Sequence, residues 1–162
     1  MAKKEPTVSN YEKLMNTDLG SMEEPKDVIP SGEWILRCTA ARETKNEEYD
    51  ANDSKNDALS IARFTHTPVE PHSNYDIEKV EDGSWRGVPM FTTRYIKTER
   101  DLYGVRDIVA AHGISLEGRT LTDAVELMRN RTVLVTIGLK TYKRRDGTQG
   151  RANTLTNFRV VE

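Results

Sequence analysis

Apolar and polar residues alternate along several short runs of this chain, and a period of two predicts β-strands with one buried face. The first run is Glu33 to Ala40, in which the even-numbered positions are apolar. The second is Ala58 to His66, and the third is Trp85 to Lys97. Pro89 lies inside the third run, and we expect it to place the start of that strand at a sheet edge or a bulge.

Two more strands are predicted near the end of the chain, where they form a hairpin. The second of them is Thr154 to Val160. Asp146 and Gly147 lie between the two strands, and Asp-Gly is a strong signal for a tight hairpin turn. The apolar positions that alternate along the first of them are Val133, Val135, Ile137 and Leu139.

The period changes to that of a helix between the third and the fourth predicted strands. Apolar residues recur at helical spacing along Asp101 to His112, and Gly113 follows as a natural left-handed cap. A second, shorter helix is predicted for Thr122 to Asn130. Loops are predicted for the charged stretch Glu43 to Asp57 and for the proline-containing stretch Pro68 to Gly83.

The order of three strands, two helices and two strands predicts a mainly β domain. It matches a five-stranded β-barrel of the OB type with the helices inserted between strands 3 and 4, although other α+β folds share this order. We assign this OB-like domain to residues 31–162 and an extended N-terminal arm to residues 1–30. One short amphipathic helix is predicted in the arm from near-helical spacing. The residues with that spacing are Tyr11, Leu14, Met15 and Leu19.

The composition is that of a polar chain with one modest core. It has 162 residues, of which 36% are hydrophobic and 31% are charged. No apolar run approaches the roughly 20 residues of a membrane-spanning helix, and the N-terminus lacks the apolar core of a signal peptide. The single cysteine, Cys38, cannot form an internal disulfide. These features predict a cytoplasmic protein, which includes one made in the cytoplasm of a host cell.

Charge is unevenly distributed along the chain, although the net charge is only −2. Residues 1–85 hold 10 Lys and Arg against 18 Asp and Glu, whereas residues 86–162 hold 14 against 8. A basic half suggests contact with a polyanion. The alternative is that folding mixes the charges, and a pI near 6.0 is unlike that of a strongly basic nucleic-acid-binding protein.

No motif points to an enzyme or to a cofactor. His66, His72 and His112 fall in separate predicted elements, and none has a second ligand at the spacing typical of metal sites. Cys38 lies on an apolar strand face, which favours a buried structural role. The chain has no glycine-rich phosphate loop and no nucleophile in a recognisable catalytic motif. We therefore expect no catalytic residues, no metal site and no cofactor.

Basic and aromatic residues accompany each other in the strands and at the hairpin tip, and this combination suits a phosphate backbone whose bases stack on rings. In the predicted alternation, Phe91 and Tyr95 share one face while Arg94 takes the other. Core packing is the alternative for each ring except Tyr142, because turns are usually exposed. The candidate nucleic-acid-binding residues are Arg63, Phe91, Arg94, Tyr95, Tyr142, Lys143, Arg144, Arg145 and Arg151.

Four features in a fixed order resemble a known family. They are Gly32-Glu33-Trp34 at the start of a strand, Ile108 to Gly113 at the end of a helix, Leu127 to Thr136 leading into a strand, and the hairpin Tyr142 to Phe158. Over residues 30–161 the chain resembles small phage-encoded OB-fold proteins that bind single-stranded DNA, and related phage proteins found beside recombination genes. Such binders often end in an acidic tail, whereas the acidic half of this chain is N-terminal.

The resemblance implies sequence-tolerant binding of single-stranded DNA in DNA replication or recombination, through one sheet face and the loop tips. In this hypothesis the basic residues from Lys143 to Arg151 neutralise phosphates, and Tyr142 stacks on a base. Residues 1–30 would contact a protein partner or a second copy of the chain. The main alternative is a structural or assembly protein of a virion that uses this arm to contact neighbouring subunits. A third alternative, an adaptor for a nuclease or recombinase, has no direct support in the sequence.

Overall fold

A computed structural model of the protein describes residues 10–16 and 28–161, and it shows one antiparallel sheet accompanied by short helices. The strands are β1 Gly32–Lys45, β2 Ser60–Ser73, β3 Met90–Ile96, β4 Thr132–Lys143 and β5 Gln149–Arg159. The helices are α1 Asn10–Met15, α2 Ile77–Glu81, α3 Glu99–Ala111 and α4 Leu121–Glu126. No helix in the described ranges has the length and apolar character needed to span a bilayer.

The five strands are ordered β3-β2-β1-β4-β5 across the sheet, and each neighbouring pair is antiparallel. The predictions of a mainly β chain, of five strands and of helices between the third and fourth strands are confirmed. The predicted closed barrel is not formed, because β3 and β5 are the two free edges of an open sheet. Helix α3 packs against both of these edge strands, so it lies where a barrel would have closed.

The second strand is longer than its sequence pattern predicts. The predicted loop from Pro68 to Gly83 is wrong in its first part, because β2 continues to Ser73. Pro68 and Pro71 stand opposite Leu36 and Trp34 of β1, next to irregularities in the strand register. Proline cannot donate a ladder hydrogen bond and is tolerated in sheets at such bulges. The predicted turn residues are therefore part of a bent strand.

The third strand is shorter than predicted, since it begins only at Met90. Trp85 precedes it in a turn, and its side chain is buried against Trp34 with the two ring centroids 5.0 Å apart. The indole Nε1 of Trp85 donates to the carbonyl of Val80, which closes the turn. An apolar turn that enters the core produces the same alternating pattern as a strand, which explains the wrong boundary.

Helix α3 is the best-predicted element. Three residues of the predicted apolar stripe, Val105, Ile108 and Val109, are buried, whereas its first residue, Leu102, is 37% exposed. Gly113 has a φ of +80°, as expected of a left-handed cap. At the other end, the carboxylate of Asp101 accepts hydrogen bonds from the backbone N–H groups of Lys97 and Thr98, at 2.8 and 3.1 Å. The second predicted helix, Thr122 to Asn130, is reduced to α4, Leu121–Glu126.

The segment just before β1 is fastened to the far edge of the sheet. The side-chain amide of Asn153 on β5 accepts from the N–H of Ile29 at 2.8 Å and donates to the Ile29 carbonyl at 2.9 Å. It therefore pairs with Ile29 as a neighbouring strand would. The Ile29 side chain is fully buried, and Trp34 Nε1 donates to the carbonyl of Pro30 at 2.8 Å. The predicted arm thus contributes part of the core, since residues 28–30 belong to the domain.

The short helix predicted in the arm is present as α1, Asn10–Met15. Tyr11 and Met15 expose 71% and 58% of their surfaces, so its two described apolar side chains face solvent. Leu19, the last residue of the predicted apolar stripe, lies outside the described residues.

Candidate nucleic-acid interface

The strand register places nine residues on one exposed face of β1, β2 and β3. Residues that stand directly opposite each other in antiparallel strands project to the same side of a sheet. The register therefore generates three rows of three residues each. They are Ala40-Thr65-Phe91, Arg42-Arg63-Thr93 and Thr44-Ile61-Tyr95. We call these nine residues the grid face.

The grid face combines exposed rings with paired cations. Phe91 and Tyr95 expose 72% and 57% of their surfaces, although aromatic side chains are usually buried. Arg42 and Arg63 stand directly opposite each other in the central row, and both are exposed. No acidic residue is among the nine, and neither arginine forms an ion pair within the described part of the chain. Like charges at facing positions repel, so an anion placed between them is stabilised.

Arg94 is the one sheet candidate that is not on this face. It stands opposite Ala62, whose side chain is fully buried, and is itself half-buried. One of its guanidinium nitrogens donates to the carbonyl of Thr93. The alternation that separates Arg94 from Phe91 and Tyr95 agrees with the sequence pattern. As a result, Arg94 is not brought together with the two rings.

The hairpin of β4 and β5 holds the second group of candidates, of which Tyr142 is the centre. Tyr142 stands opposite Gly150, and a Cβ atom on that glycine would lie 2.5 Å from Cζ of the ring. The ring therefore lies over the bare backbone of Gly150, which buries the glycine and leaves 45% of the tyrosine exposed. Its position is fixed by the opposite strand.

The basic residues of the hairpin are not equivalent. Arg144 donates to the carbonyl of Gln149 at 2.8 Å and to the hydroxyl of Thr148 at 3.3 Å, and its guanidinium lies 5.7 Å from the centre of the Tyr142 ring. It therefore holds the tip together. Lys143 and Arg145 are exposed on either side of it. Their side chains are better placed than Arg144 to meet a phosphate from solution.

A pocket of about 230 Å³ links the two groups of candidates. Phe91 on β3 and Arg151 on β5 both line it, together with Val28 from the segment before β1. The two free edges of the sheet approach each other at this place. Arg151 is exposed, so a cation stands beside the most exposed ring of the grid face.

Arg42 is the residue of this surface that sequence reasoning missed. The first strand was predicted to end at Ala40, which left Arg42 outside any element. In the structure β1 continues to Lys45, and this brings Arg42 opposite Arg63. The signal was present, because Ala40, Arg42 and Thr44 continue the alternation. The alternation is hard to recognise there because polar residues lie on both faces at the end of the strand.

Two of the histidines and the cysteine, although they come from separate elements of the chain, meet in the core. Cys38 stands opposite His66 in neighbouring strands, and His112 reaches them from the end of α3. All three are buried, and one potential ligand atom from each lies within 4.8 Å of the others. No sequence spacing joins residues 38, 66 and 112, because the fold alone brings them together. We call these three residues the Cys-His-His cluster.

The hydrogen bonds of the two histidines fix their protons. Nδ1 of His112 lies 2.7 Å from the carbonyl of Ile108, so it must carry a proton and donate. Its Nε2 is then an acceptor, and Nε2 of His66, 2.9 Å away, must donate to it. Nδ1 of His66 is left as a buried acceptor without a partner among the described residues.

The pKa values of the cluster are shifted by burial. Loss of hydration lowers the pKa of His66 to about 3, with a further contribution from His112. Burial also lowers the pKa of His112. For Cys38, burial raises the thiol pKa to about 11. The imidazoles are therefore neutral and the thiol protonated near pH 7.

Comparison with models of known protein families finds none that matches this chain, and no curated protein sequence matches it.

Proposed function

We propose that this chain binds single-stranded DNA through the grid face and the adjoining hairpin. The observation that carries the proposal is the central row of the grid face, in which Arg42 and Arg63 stand opposite each other and which runs between the rows that hold Phe91 and Tyr95. Arrays of cations and exposed rings are what sequence-tolerant single-strand binding requires, because every nucleotide supplies one phosphate and one flat base.

The arginines would hold the phosphate backbone. A phosphate that bridges Arg42 and Arg63 removes their mutual repulsion and accepts charge-assisted hydrogen bonds from both guanidinium groups. Arg151 extends the basic path through the pocket beside Phe91 towards the hairpin, where Lys143 and Arg145 are exposed. Binding should therefore weaken as salt rises, because neutralised phosphates release counterions.

The rings explain why a single strand is preferred over a duplex. Phe91 and Tyr95 offer flat apolar surfaces, and stacking on such a ring contributes about 1–3 kcal/mol per base. In a duplex the bases are already stacked and paired, so only an unpaired strand can present them to the rings. Stacking accepts every base, which fits sequence-tolerant binding.

The strand order also supports an OB-type origin of the sheet, as part of this proposal. The order β3-β2-β1-β4-β5 becomes a closed five-stranded barrel if β3 meets β5, and OB folds are commonly only partly closed. Ligands of that fold lie on strands 2 and 3 and on the loops after strands 1 and 4. The grid face and the hairpin tip occupy corresponding places. A role in phage DNA replication or recombination rests on the resemblance of residues 30–161 alone.

The first experiment is fluorescence anisotropy of a labelled oligo-dT strand at two salt concentrations, with unlabelled duplex as competitor. We expect salt-sensitive binding that duplex DNA does not displace. Absence of binding at micromolar protein and low salt would contradict the proposal. It would favour the assembly role, in which the exposed residues Tyr11 and Met15 of α1 contact another subunit.

Variants test the assignment of individual residues. Phe91→Ala should raise the Kd about 5- to 150-fold at fixed salt, because one stacking contact is lost. The salt dependence is the slope of the logarithm of the binding constant against the logarithm of the salt concentration. The double variant Arg42→Ala/Arg63→Ala should make this slope less steep by about 0.7 for each phosphate contact removed.

The matched controls lie on the helical side of the molecule. Tyr103→Ala removes a ring whose 54% exposure is close to the 57% of Tyr95, and Arg119→Ala removes a cation, both from the groove between α3 and α4. Neither change should alter the Kd. If the controls weakened binding as much as the grid-face variants did, the grid face would not be the binding surface.

A further inference from the structure

We propose that the Cys-His-His cluster is a binding site for a soft transition-metal ion, and that Zn²⁺ is the ion that suits it. Thiolate and imidazole are the donors that Zn²⁺ prefers in proteins. Cys38, His66 and His112 supply one of the first and two of the second. Three protein donors leave the fourth tetrahedral position to a small ligand such as water.

The donors are held on rigid elements. Cys38 and His66 face each other across β1 and β2, on the buried side of the sheet. His112 lies at the C-terminal end of α3, which packs on that side. A site whose ligands stand on strands and at a helix end keeps its geometry better than one built from loops.

His112 is already oriented as a ligand. Its Nδ1–H donates to the carbonyl of Ile108 at 2.7 Å, which fixes the tautomer and directs the Nε2 lone pair at His66. Metal-binding histidines are commonly held by such a bond from the other ring nitrogen. The hydrogen bond to Ile108 thus fixes the tautomer and the ring orientation of His112, as such bonds do for the histidines of known metal sites.

The distance between the imidazoles is close to that of a metal-bound pair. The two Nε2 atoms lie 2.9 Å apart. Two nitrogens bound to a tetrahedral zinc ion at 2.0–2.1 Å are about 3.3 Å apart. The two nitrogens therefore need to separate by about 0.4 Å, and the Cys38 sulfur, which lies within 4.8 Å of the histidine ligand atoms, needs to come to about 3.6 Å from each nitrogen.

The proton balance of binding follows from the hydrogen bonds. In the metal-free state His66 carries its proton on Nε2, and its Nδ1 has no partner among the described residues. On binding, that proton moves to Nδ1, so that Nε2 can coordinate the ion. Cys38 coordinates as the thiolate and gives its proton to solvent. One proton is therefore released for each ion bound.

The consequence would be structural and separate from the grid face. The ion would tie the end of α3 to β1 and β2 within the core. Because Cys38 and His66 are fully buried and His112 is 3% exposed, the ion would enter as the chain folds and not through an open channel.

The test is to refold the full-length chain with and without Zn²⁺, and with Co²⁺ as a spectroscopic replacement. We expect one ion per chain by elemental analysis, one proton released per ion in weakly buffered solution, and a higher Tm with Zn²⁺. Co²⁺ should produce a thiolate-to-cobalt absorption band in the near ultraviolet. Cys38→Ala should abolish that band, and His66→Gln should weaken binding at least tenfold.

His72→Ala is the matched control, because His72 is exposed and lies outside the cluster. It should bind like the unaltered chain. Circular dichroism of each variant establishes that it folds, and Cys38→Ser provides a second thiol-free chain if Cys38→Ala does not. The proposal is overturned if the refolded unaltered chain takes up no Co²⁺ or Zn²⁺. It is equally overturned if the band survives in the folded thiol-free variant.

Discussion

Glycine at position 150 leaves room for the ring of Tyr142, which occupies the place where a Cβ would stand. Such an atom would lie 2.5 Å from Cζ, far inside a van der Waals contact. An aromatic ring that covers a glycine on the opposite strand protects the exposed backbone and fixes the strand register. The partly exposed ring of Tyr142 and the glycine at position 150 therefore belong together as one cross-strand pair of the hairpin.

Gly150→Ala should therefore lower the free energy of unfolding by about 0.2–1 kcal/mol, because the exposed ring must move away and its cross-strand contact is lost. Gly104→Ala is the matched control. Gly104 lies inside α3 with nothing within 4 Å of an added Cβ, so alanine should raise stability by about 0.5–1 kcal/mol. Urea unfolding of both variants checks the pair. A neutral Gly150→Ala would show that the ring does not rest there.

At the scale of elements, α3 begins where a single carboxylate satisfies two backbone donors. Asp101 accepts from the N–H groups of Lys97 and Thr98, which precede the helix. These hydrogen bonds favour the ionised form and lower the pKa of Asp101 from its ordinary value of 3.8. The cap therefore stabilises the native state above pH 3.8, and this contribution is lost as the pH falls through the lowered native pKa.

Asp101→Asn should lower the urea midpoint at pH 7, because a charged acceptor becomes a neutral one. The difference from the unaltered chain should shrink as the pH falls below 3.8, where the aspartate is itself neutral in the unfolded chain. Asp107→Asn, in the exposed middle of the same helix, serves as the control. If the difference in urea midpoint between Asp101→Asn and the unaltered chain stayed constant from pH 7 to pH 2.5, the ionised carboxylate of Asp101 would not be what stabilises the start of the helix.

Elements differ in how well the sequence predicts them, and the reasons are local. The period of Val105, Ile108 and Val109 and the cap at Gly113 predict α3 because helix signals lie within one segment. Pro68 begins a predicted loop, but β2 in fact continues through it, because the proline stands next to a bulge in β2 that only its pairing with β1 reveals. Trp85 looks like a strand residue because burial in a turn and burial in a strand leave the same pattern.

The candidate surface was predictable to a similar extent. The alternation places Phe91 and Tyr95 on one face, but only the register shows that Arg42 and Arg63 face each other beside them. The meeting of His66 and His112 across 46 residues depends on how α3 packs on the sheet. Contacts of that kind are properties of tertiary packing, which neither spacing nor composition encodes.

At the scale of the whole molecule, the polar bridge from Asn153 joins the two ends of the domain. Its amide pairs with both backbone groups of Ile29 and also donates to the carbonyl of Gly138 at 3.3 Å. A residue from β5 thereby holds the segment before β1, 124 positions away. This bridge lies beside the pocket that holds Phe91 and Arg151.

Asn153→Ala should lower the free energy of unfolding by about 1–3 kcal/mol, since partly buried backbone groups of Ile29 lose their partner. Asn52→Ala, in the exposed loop between β1 and β2, should change it by less than about 0.5 kcal/mol. Chemical denaturation measures both. If Asn153→Ala lowered the free energy of unfolding no more than Asn52→Ala does, the hydrogen bonds of Asn153 would not stabilise the domain.

The facing arginines of the grid face imply a trade-off between folding and affinity. In the free protein Arg42 and Arg63 repel each other, at a cost of about 0.2–1 kcal/mol for like charges in facing positions. Arg42→Ala should therefore make the free protein more resistant to urea while it weakens binding of oligo-dT. Selection for stability alone would not favour this pair, which agrees with the proposal that the grid face binds an anion.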